Sequence, residues 1–332
     1  MNTEESMECY EKSSTVHPFL KGGGLFYFSV KEWKMAILLK KDTKVLVQGI
    51  TGREGSARTA FMKGYGTNVV AGVTPGRGGE EVSGTPVYNT IQEAVKAHGS
   101  FDLSVTFIPG PSLKDAVLEA LDAGIKFLVM PVERVPLYDI LEMMAHGKQK
   151  GARLLGPGSI GIISPGIAAA GWLGGSPDFA KRVFVPGHVG VISRSGGQSA
   201  TVPYTIKEAG LGMTTVVHIG TEPVVGQSFA DILPLFQADE ETHAVAIFGE
   251  IGGTNEEEAA EAVRRKEFTK PLVIYVAGAW APEGMRFSHA SSIVERGKGS
   301  AKNKVKNLKD AGIHVVDRPD EIAPTLKRIL KA

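Results

Sequence analysis

The sequence predicts an α/β protein with mostly parallel sheets, arranged as two successive domains. Three observations carry this. From Met35 onward, short apolar runs alternate with segments whose apolar residues recur at helical spacing. Glycine-rich turns follow several of these runs and open the next helix. A chain of 332 residues is long enough to bury two cores of ordinary size.

In the first domain, Lys44–Ile50 reads as a strand, followed by a glycine turn and a helix through Phe61. Asn68–Val73 is the next strand and Ile91–Ala97 the next helix. Leu103–Ile108 and Lys126–Met130 are strands flanking the helix Leu113–Ala123, which Gly124 stops. Tyr138–His146 reads as a helix, and Arg153–Gly156 closes this half. Residues 161–186, rich in Gly, Ala, Ser and Pro, read as a connector. In the second half, strands are expected at His188–Ser193, Thr215–Ile219, Ala244–Glu250, Pro271–Gly278 and Ile313–Asp317. Helices are expected through Glu208, around Ile232–Phe236, at Glu256–Val263, at Val305–Ala311 and at the end. The acids Glu256, Glu257 and Glu258 fall in a helix's first turn, where the helix dipole accounts for them.

The expected boundaries are therefore an extension over 1–34, a first domain over 35–160, the connector over 161–186 and a second domain over 187–332. The extension mixes acids, Ser and a Gly-Gly-Gly run, unlike a secretory or transit signal, and is expected to be dispensable. Lys plus Arg number 37 and Asp plus Glu 36, so no basic footprint for nucleic acid is present. No stretch is long and apolar enough to span a bilayer. The single cysteine, Cys9, excludes a disulfide framework within the chain and fits a cytoplasmic location. The histidines show no ligand-like spacing, so no metal site is expected.

Three loops of the second half point to chemistry. His289 lies in a polar, glycine-flanked loop, Glu283–Ser292, directly after an apolar strand. Another strand ends on Glu250. A third ends at Ser193-Arg-Ser-Gly-Gly197 and opens a helix, the arrangement in which anions bind most readily. In open α/β sheets, ligands bind beyond the carboxyl ends of the strands. An imidazole, an orienting acid and an anion cradle in one crevice suggest phosphate chemistry on His289.

In the first half, Gly49-Ile-Thr-Gly-Arg-Glu-Gly55 takes the place of a dinucleotide fingerprint, with looser spacing. The acid expected after the second strand is absent. Arg77, in Thr74-Pro-Gly-Arg-Gly-Gly79, suits a ribose phosphate better than bare hydroxyls. NADP and coenzyme A both carry one.

In this order, these motifs resemble the alpha-type subunit of the succinyl-CoA synthetase family of NDP-forming acid–CoA ligases, over essentially Met35–Ala332. The marks are Gly-x-Thr-Gly at 49–52, Val-Thr-Pro-Gly-Arg-Gly-Gly at 73–79, Asp-Ala-Gly-Ile-Lys at 122–126 and Gly-Pro at 156–157. The second half adds Ser-Arg-Ser-Gly at 193–196, Gly-Glu-Ile-Gly-Gly at 249–253 and His289-Ala290. The resemblance implies a Rossmann-like CoA-binding domain, then a flavodoxin-like ligase domain. It also implies a beta-type ATP-grasp partner subunit that holds ATP or GTP with Mg2+. By position, Thr51, Gly52, Arg53 and Glu54 would line the CoA phosphates, and Arg77, in place of the family's usual lysine, would contact CoA. Met130, Pro131 and Val132 would flank the adenine or pantetheine. His289 would carry the phosphoryl group, Glu250 would hold its imidazole, and N–H groups of Ser195, Gly196 and Gly197 would receive the anion.

For the acid, Gly197 and Ala200 stand where succinate-type members often have Thr and Tyr. The roomier turn, a longer 168–182 segment and Ala301-Lys-Asn resemble the ligase part of ATP-citrate lyase and the small subunit of citryl-CoA synthetase. Citrate is therefore expected ahead of succinate, with malate third. Two other classes fit parts of the pattern: an NADP-dependent oxidoreductase, and a non-catalytic CoA-binding protein.

Overall fold

The computed structural model describes residues 17–21, 24–28, 37–278 and 299–331. Residues up to Ala36 form a unit of their own. Within it, β1 (His17–Lys21) and β2 (Gly24–Phe28) pair as an antiparallel hairpin.

From Ile37 the described residues follow the predicted strand–helix alternation, interrupted by two hairpins. The first domain runs β3 (Val45–Gln48), α1 (Arg53–Tyr65), β4 (Val69–Val73), β5 (Glu81–Val82), β6 (Thr85–Tyr88), α2 (Ile91–His98), β7 (Leu103–Thr106), α3 (Gly110–Asp122), β8 (Phe127–Val129), α4 (Leu137–Gln149) and β9 (Arg153–Leu155). Its sheet has the order β5-β6-β4-β3-β7-β8-β9, parallel except for the short β5. Counting only the parallel strands along the chain, this is the 3-2-1-4-5-6 winding of a Rossmann sheet. Every residue of β3 and β7 is buried, because helices cover both sheet faces; the side chains are apolar or small except Gln48, whose amide is satisfied by Ser104 Oγ and the Ala116 carbonyl.

The second domain runs β10 (Gly161–Ser164), β11 (Ala168–Gly171), α5 (Pro177–Val183), β12 (Pro186–Ser193), α6 (Gln198–Glu208), β13 (Met213–His218), α7 (Phe229–Ala238), β14 (Ala244–Glu250), α8 (Asn255–Arg264), β15 (Leu272–Ala277), α9 (Ala301–Asp310), β16 (His314–Val316) and α10 (Ile322–Ile329). The sheet order is β11-β10-β13-β12-β14-β15-β16. Its five parallel strands follow the flavodoxin-like order 2-1-3-4-5. Helix starts are marked where the sequence places short polar caps: Thr90 on α2, Ser228 in a capping box on α7, and Ser300 on α9.

One expectation needs correction. Residues 161–186 are not a bare connector. β10 and β11 form an antiparallel hairpin that extends the second sheet beyond β13. The Ala168-Ala-Ala-Gly171 run carries no β-branched signal, yet small side chains are what this position requires. β11 lies against α1 of the first domain, Thr67 Oγ1 donates to the Ala169 carbonyl at 2.7 Å, and all four residues are buried. The hairpin β5–β6, also unanticipated, adds the edge next to β4.

No helix among the described residues is long and apolar enough to cross a membrane. Among them, no group of three or more His, Cys, Asp or Glu side chains could hold a metal ion.

Candidate functional site

Each sheet has one point where the winding reverses, and each places a glycine turn there. In the first sheet the reversal falls between β3 and β7. Gly49 leaves β3 with φ +75°, and a Cβ on it would meet the Phe107 carbonyl oxygen at 2.4 Å. Only glycine suits both the backbone and the space. Gly55 packs as tightly, its would-be Cβ lying 2.1 Å from the Gly49 oxygen. α1 therefore starts immediately over the strand end. Gly52 is its N-cap, without a side-chain cap, so the helix start with Thr51 and Arg53 is open to an anion. Glu54 is not a bare negative charge there: Arg58 pairs with it at 3.0 Å, and the Arg58 guanidinium lies 4.7 Å from the Trp172 ring centre. Trp172 packs near Phe107, their centroids 6.2 Å apart, and so reaches this turn from the hairpin of the second sheet.

Arg77 sits in the neighbouring turn. Asn89 Oδ1 accepts from the N–H groups of Gly76 and Gly78 at 2.9 and 3.0 Å, which shapes the turn. The Thr51 N–H reaches Thr74 Oγ1 at 3.4 Å and ties the two glycine turns together. The Arg77 side chain is exposed and forked on Glu80, whose carboxyl it holds below the usual range. A phosphate arriving there would exchange one anion for another.

Met130, Pro131 and Val132 do not share a role. Met130 is fully buried in the first domain's core, and its N–H and carbonyl are engaged by Leu155 and Ser159. Pro131 is buried too, leaving half-buried Val132 as the side chain that can face a ligand. A place at the end of β8 does not by itself expose a side chain. The turn 156–159 instead folds over it, Gly158 N–H donating to the Val132 carbonyl at 2.8 Å.

In the second sheet the reversal falls between β12 and β14. β12 delivers Ser195–Gly197 and β14 delivers Glu250 to the same sheet edge, since Ser193 pairs in register with Phe248. Of the three N–H groups expected to form the anion cradle, that of Ser195 already donates to Ser193 Oγ at 3.0 Å. Gly196 and Gly197 fit that cradle better. A Cβ on Gly196 would meet nothing nearer than 3.7 Å and one on Gly197 nothing within 4 Å. Gly197 is the N-cap of α6, again without a side-chain cap.

The Glu250 carboxylate accepts from Arg194 Nε at 3.2 Å, with both residues buried. Its backbone N–H donates to Glu256 Oε1 at 2.9 Å. Glu256 is no helix-dipole ornament. It is 1% exposed and pairs at 2.5 Å with Lys304, which is fully buried and also binds Glu257 at 2.7 Å and the Gly253 carbonyl at 3.1 Å. Burial alone would lower the Lys304 pKa; attraction to Glu256 and Glu257 outweighs that and holds it above the ordinary value. Sequence reasoning missed this support because Glu256 and Lys304 are 48 residues apart.

His218 was missed as well. It ends β13 fully buried, with Nδ1 accepting from the Ile160 N–H at 2.9 Å and Nε2 facing the Arg194 carbonyl at 3.1 Å. Those partners assign a neutral ring protonated at Nε2. It is a structural clamp beneath the 194–197 turn.

His289 lies outside the described residues. The chain leaves β15 beside Glu250, which pairs in register with Ala277. It is next described at Gly299, whose carbonyl accepts from the Gly252 N–H at 2.9 Å.

The two domains match two family models, a CoA binding domain over residues 40–133 and a succinyl-CoA ligase like flavodoxin domain over residues 186–329. Over 296 residues the chain is 47% identical to subunit alpha 2 of the ADP-forming succinate–CoA ligase of Archaeoglobus fulgidus, covering 89% of this chain and 100% of that one. The chain belongs to the alpha-subunit family of NDP-forming acid–CoA ligases. It is similarly related to the succinate–CoA ligase subunit alpha of Aquifex aeolicus, at 46% identity over 90% of this chain and 95% of that one. The ADP-forming sulfoacetate–CoA ligase subunit SauD of Bilophila wadsworthia is 45% identical over 89% of this chain and 100% of that one. Among solved structures, ATP citrate lyase of Methanosaeta concilii superposes with a TM-score of 0.82 at 24% identity, covering 89% of this chain and 50% of that one. That likeness is one of fold. The expected kinship with citryl-CoA synthetase is therefore corrected: relatives at 45–47% identity are named for succinate and sulfoacetate. Space above Gly197 admits a larger acid but does not select one, so the Gly-Gly turn is no gauge of acid size.

Proposed function

We propose that this chain is the alpha-type subunit of a succinate–CoA ligase, working with a beta-type ATP-grasp subunit in the cytoplasm. The observation that carries the reading is the shared edge of β12 and β14, where Glu250 and the open start of α6 stand at the reversal of a flavodoxin-like sheet. In this reading the partner binds ATP or GTP with Mg2+. One ring nitrogen of His289 attacks the terminal phosphorus and the nucleoside diphosphate leaves. Glu250 orients the imidazole through its other nitrogen, and Arg194 holds that carboxylate in place. The N–H groups of Gly196 and Gly197 receive the phosphoryl oxygens at the helix start. A carboxylate oxygen of the acid then takes the phosphoryl group, restoring His289 and forming an acyl phosphate. The thiolate of CoA, held over Thr51–Glu54 with Arg77 and Val132, attacks the acyl carbon and expels inorganic phosphate.

The 45% identity to a sulfoacetate–CoA ligase subunit supports a second acid, in which a sulfonate replaces one carboxylate. The test is to co-express the chain with its partner and follow CoA-dependent nucleotide hydrolysis with succinate, sulfoacetate, citrate and malate in turn. Succinate is expected to be turned over fastest; turnover of citrate alone would refute the assignment. Acid-labile labelling by γ-labelled nucleotide is expected to vanish in His289→Asn, and retained label would remove His289 from its role.

A further inference from the structure

The two sheet edges face each other across the loop that follows β13, and one residue of that loop touches both. Glu222 is 8% exposed. Its carboxylate accepts from the backbone N–H of Arg134, in the loop that continues from Val132. Arg134 is not glycine, yet its φ is +60°, a left-handed conformation that side chains disfavour. The Glu222 contact fixes a backbone that would otherwise relax. Next to it, Thr221 Oγ1 donates to Glu133 Oε1 at 3.1 Å. Gly158 is pressed so closely that a Cβ would lie 2.2 Å from that hydroxyl. On its other side, the Glu222 carbonyl accepts from Arg194 Nη2 at 3.2 Å. The same guanidinium donates through Nε to Glu250. An unbroken series of short contacts thus runs from the first domain's 132–134 loop, through Glu222 and Arg194, to the Glu250 carboxylate.

We propose that Glu222 is a positioning residue shared by both sites, holding the 132–134 loop in its left-handed form on one side and the Arg194–Glu250 pair in register on the other. The inference rests on the CoA and phosphohistidine reading above and adds to it a common support. Losing the Glu222 side chain frees Arg134 and unseats the carbonyl that anchors Arg194. Two half-reactions located in different domains should then suffer together.

The test uses the chain in complex with its beta-type partner and takes two readouts. One is the apparent KM for CoA; the other is the rate of His289 labelling by nucleotide with CoA and acid omitted. Glu222→Ala is expected to raise the first and slow the second, each by about tenfold. Glu222→Gln keeps an acceptor for the Arg134 N–H and is expected to restore both to within about twofold. Arg134→Gly in the Glu222→Ala background relieves the backbone strain but not the loose carbonyl. It should recover the KM for CoA and leave labelling slow. If Glu222→Ala does not fold, Glu222→Asp, one methylene short, is expected to move both readouts in the same directions by less. A folded Glu222→Ala or Glu222→Asp that moves only one readout, or neither, overturns the shared role while leaving the phosphohistidine reading intact. A wild-type complex that takes no label overturns that reading, and this inference with it.

Discussion

The two glycine turns occupy the same place in the two sheets and differ in what surrounds them. Around the first, the ion pairs Arg77–Glu80 and Glu54–Arg58 are partly or wholly in water. Around the second, Arg194–Glu250 and Lys304–Glu256 are buried. Exposed pairs exchange partners at little cost, which suits a cofactor that arrives and departs. Buried pairs resist rearrangement, because removing one member strands the other without water. That suits a site where one carboxylate must hold a fixed angle through every turnover. On the proposed reading, loose electrostatics serve binding and rigid electrostatics serve chemistry.

Substitutions at the buried pair should show the largest effect. Lys304→Met leaves Glu256 unpaired in the interior and is expected to cost about 3–5 kcal/mol of stability in urea unfolding. The loss should depend on pH. Burial pushes the Glu256 carboxyl above its ordinary value of 4.5, so with the lysine gone it can be kept neutral by protonation. A group raised in the folded state stabilises below its unfolded pKa and ceases to do so as pH rises through the folded one. The gap between variant and wild type should therefore be narrow near pH 4.5 and widen upward; a gap independent of pH would contradict this account. At the exposed pair, Arg77→Ala is expected to raise the KM for CoA about tenfold, with a steeper loss at low salt than at high. Labelling of His289 and the thermal midpoint should stay put, the latter within about 2 °C. A large fall in the midpoint would erase the distinction between the two turns. Least affected should be a chain beginning at Met35, since the first 36 residues are a separate unit. Its activity and midpoint are expected to match the full chain within error, and a loss of activity would give the extension a role.

The parts of this fold that the sequence predicts are those with a local cause. Val45–Val47, Val189–Ile192, Ala244–Phe248 and β15 are runs of apolar residues and glycine because helices bury both faces, and the turn after β3 needs glycine for backbone reasons visible in the chain. β11 has no such cause: three alanines and a glycine become a strand because β10 supplies the ladder and α1 packs against it. Site residues divide likewise. Glu250 is legible as the acid that ends an apolar strand. Its supports are not, since Lys304, Glu222 and Arg194 reach it from distant segments. Ser195 and Met130 were expected at the ligands by position alone. Ser195 N–H already has a partner, Ser193 Oγ, and the Met130 side chain has the first domain's core.

The hairpin β10–β11 has one more consequence. A single apolar core runs from Phe61, Met62 and Tyr65 of α1 through Ala168, Ala169 and Ala170 into Val191 and Ile192 of the second sheet. Among the described residues, that seam joins the two halves through a continuous packed core rather than an exposed linker. On the proposed reading, a group passing between the two turns has to bridge the space between them, and the long thiol-bearing arm of coenzyme A suits that task.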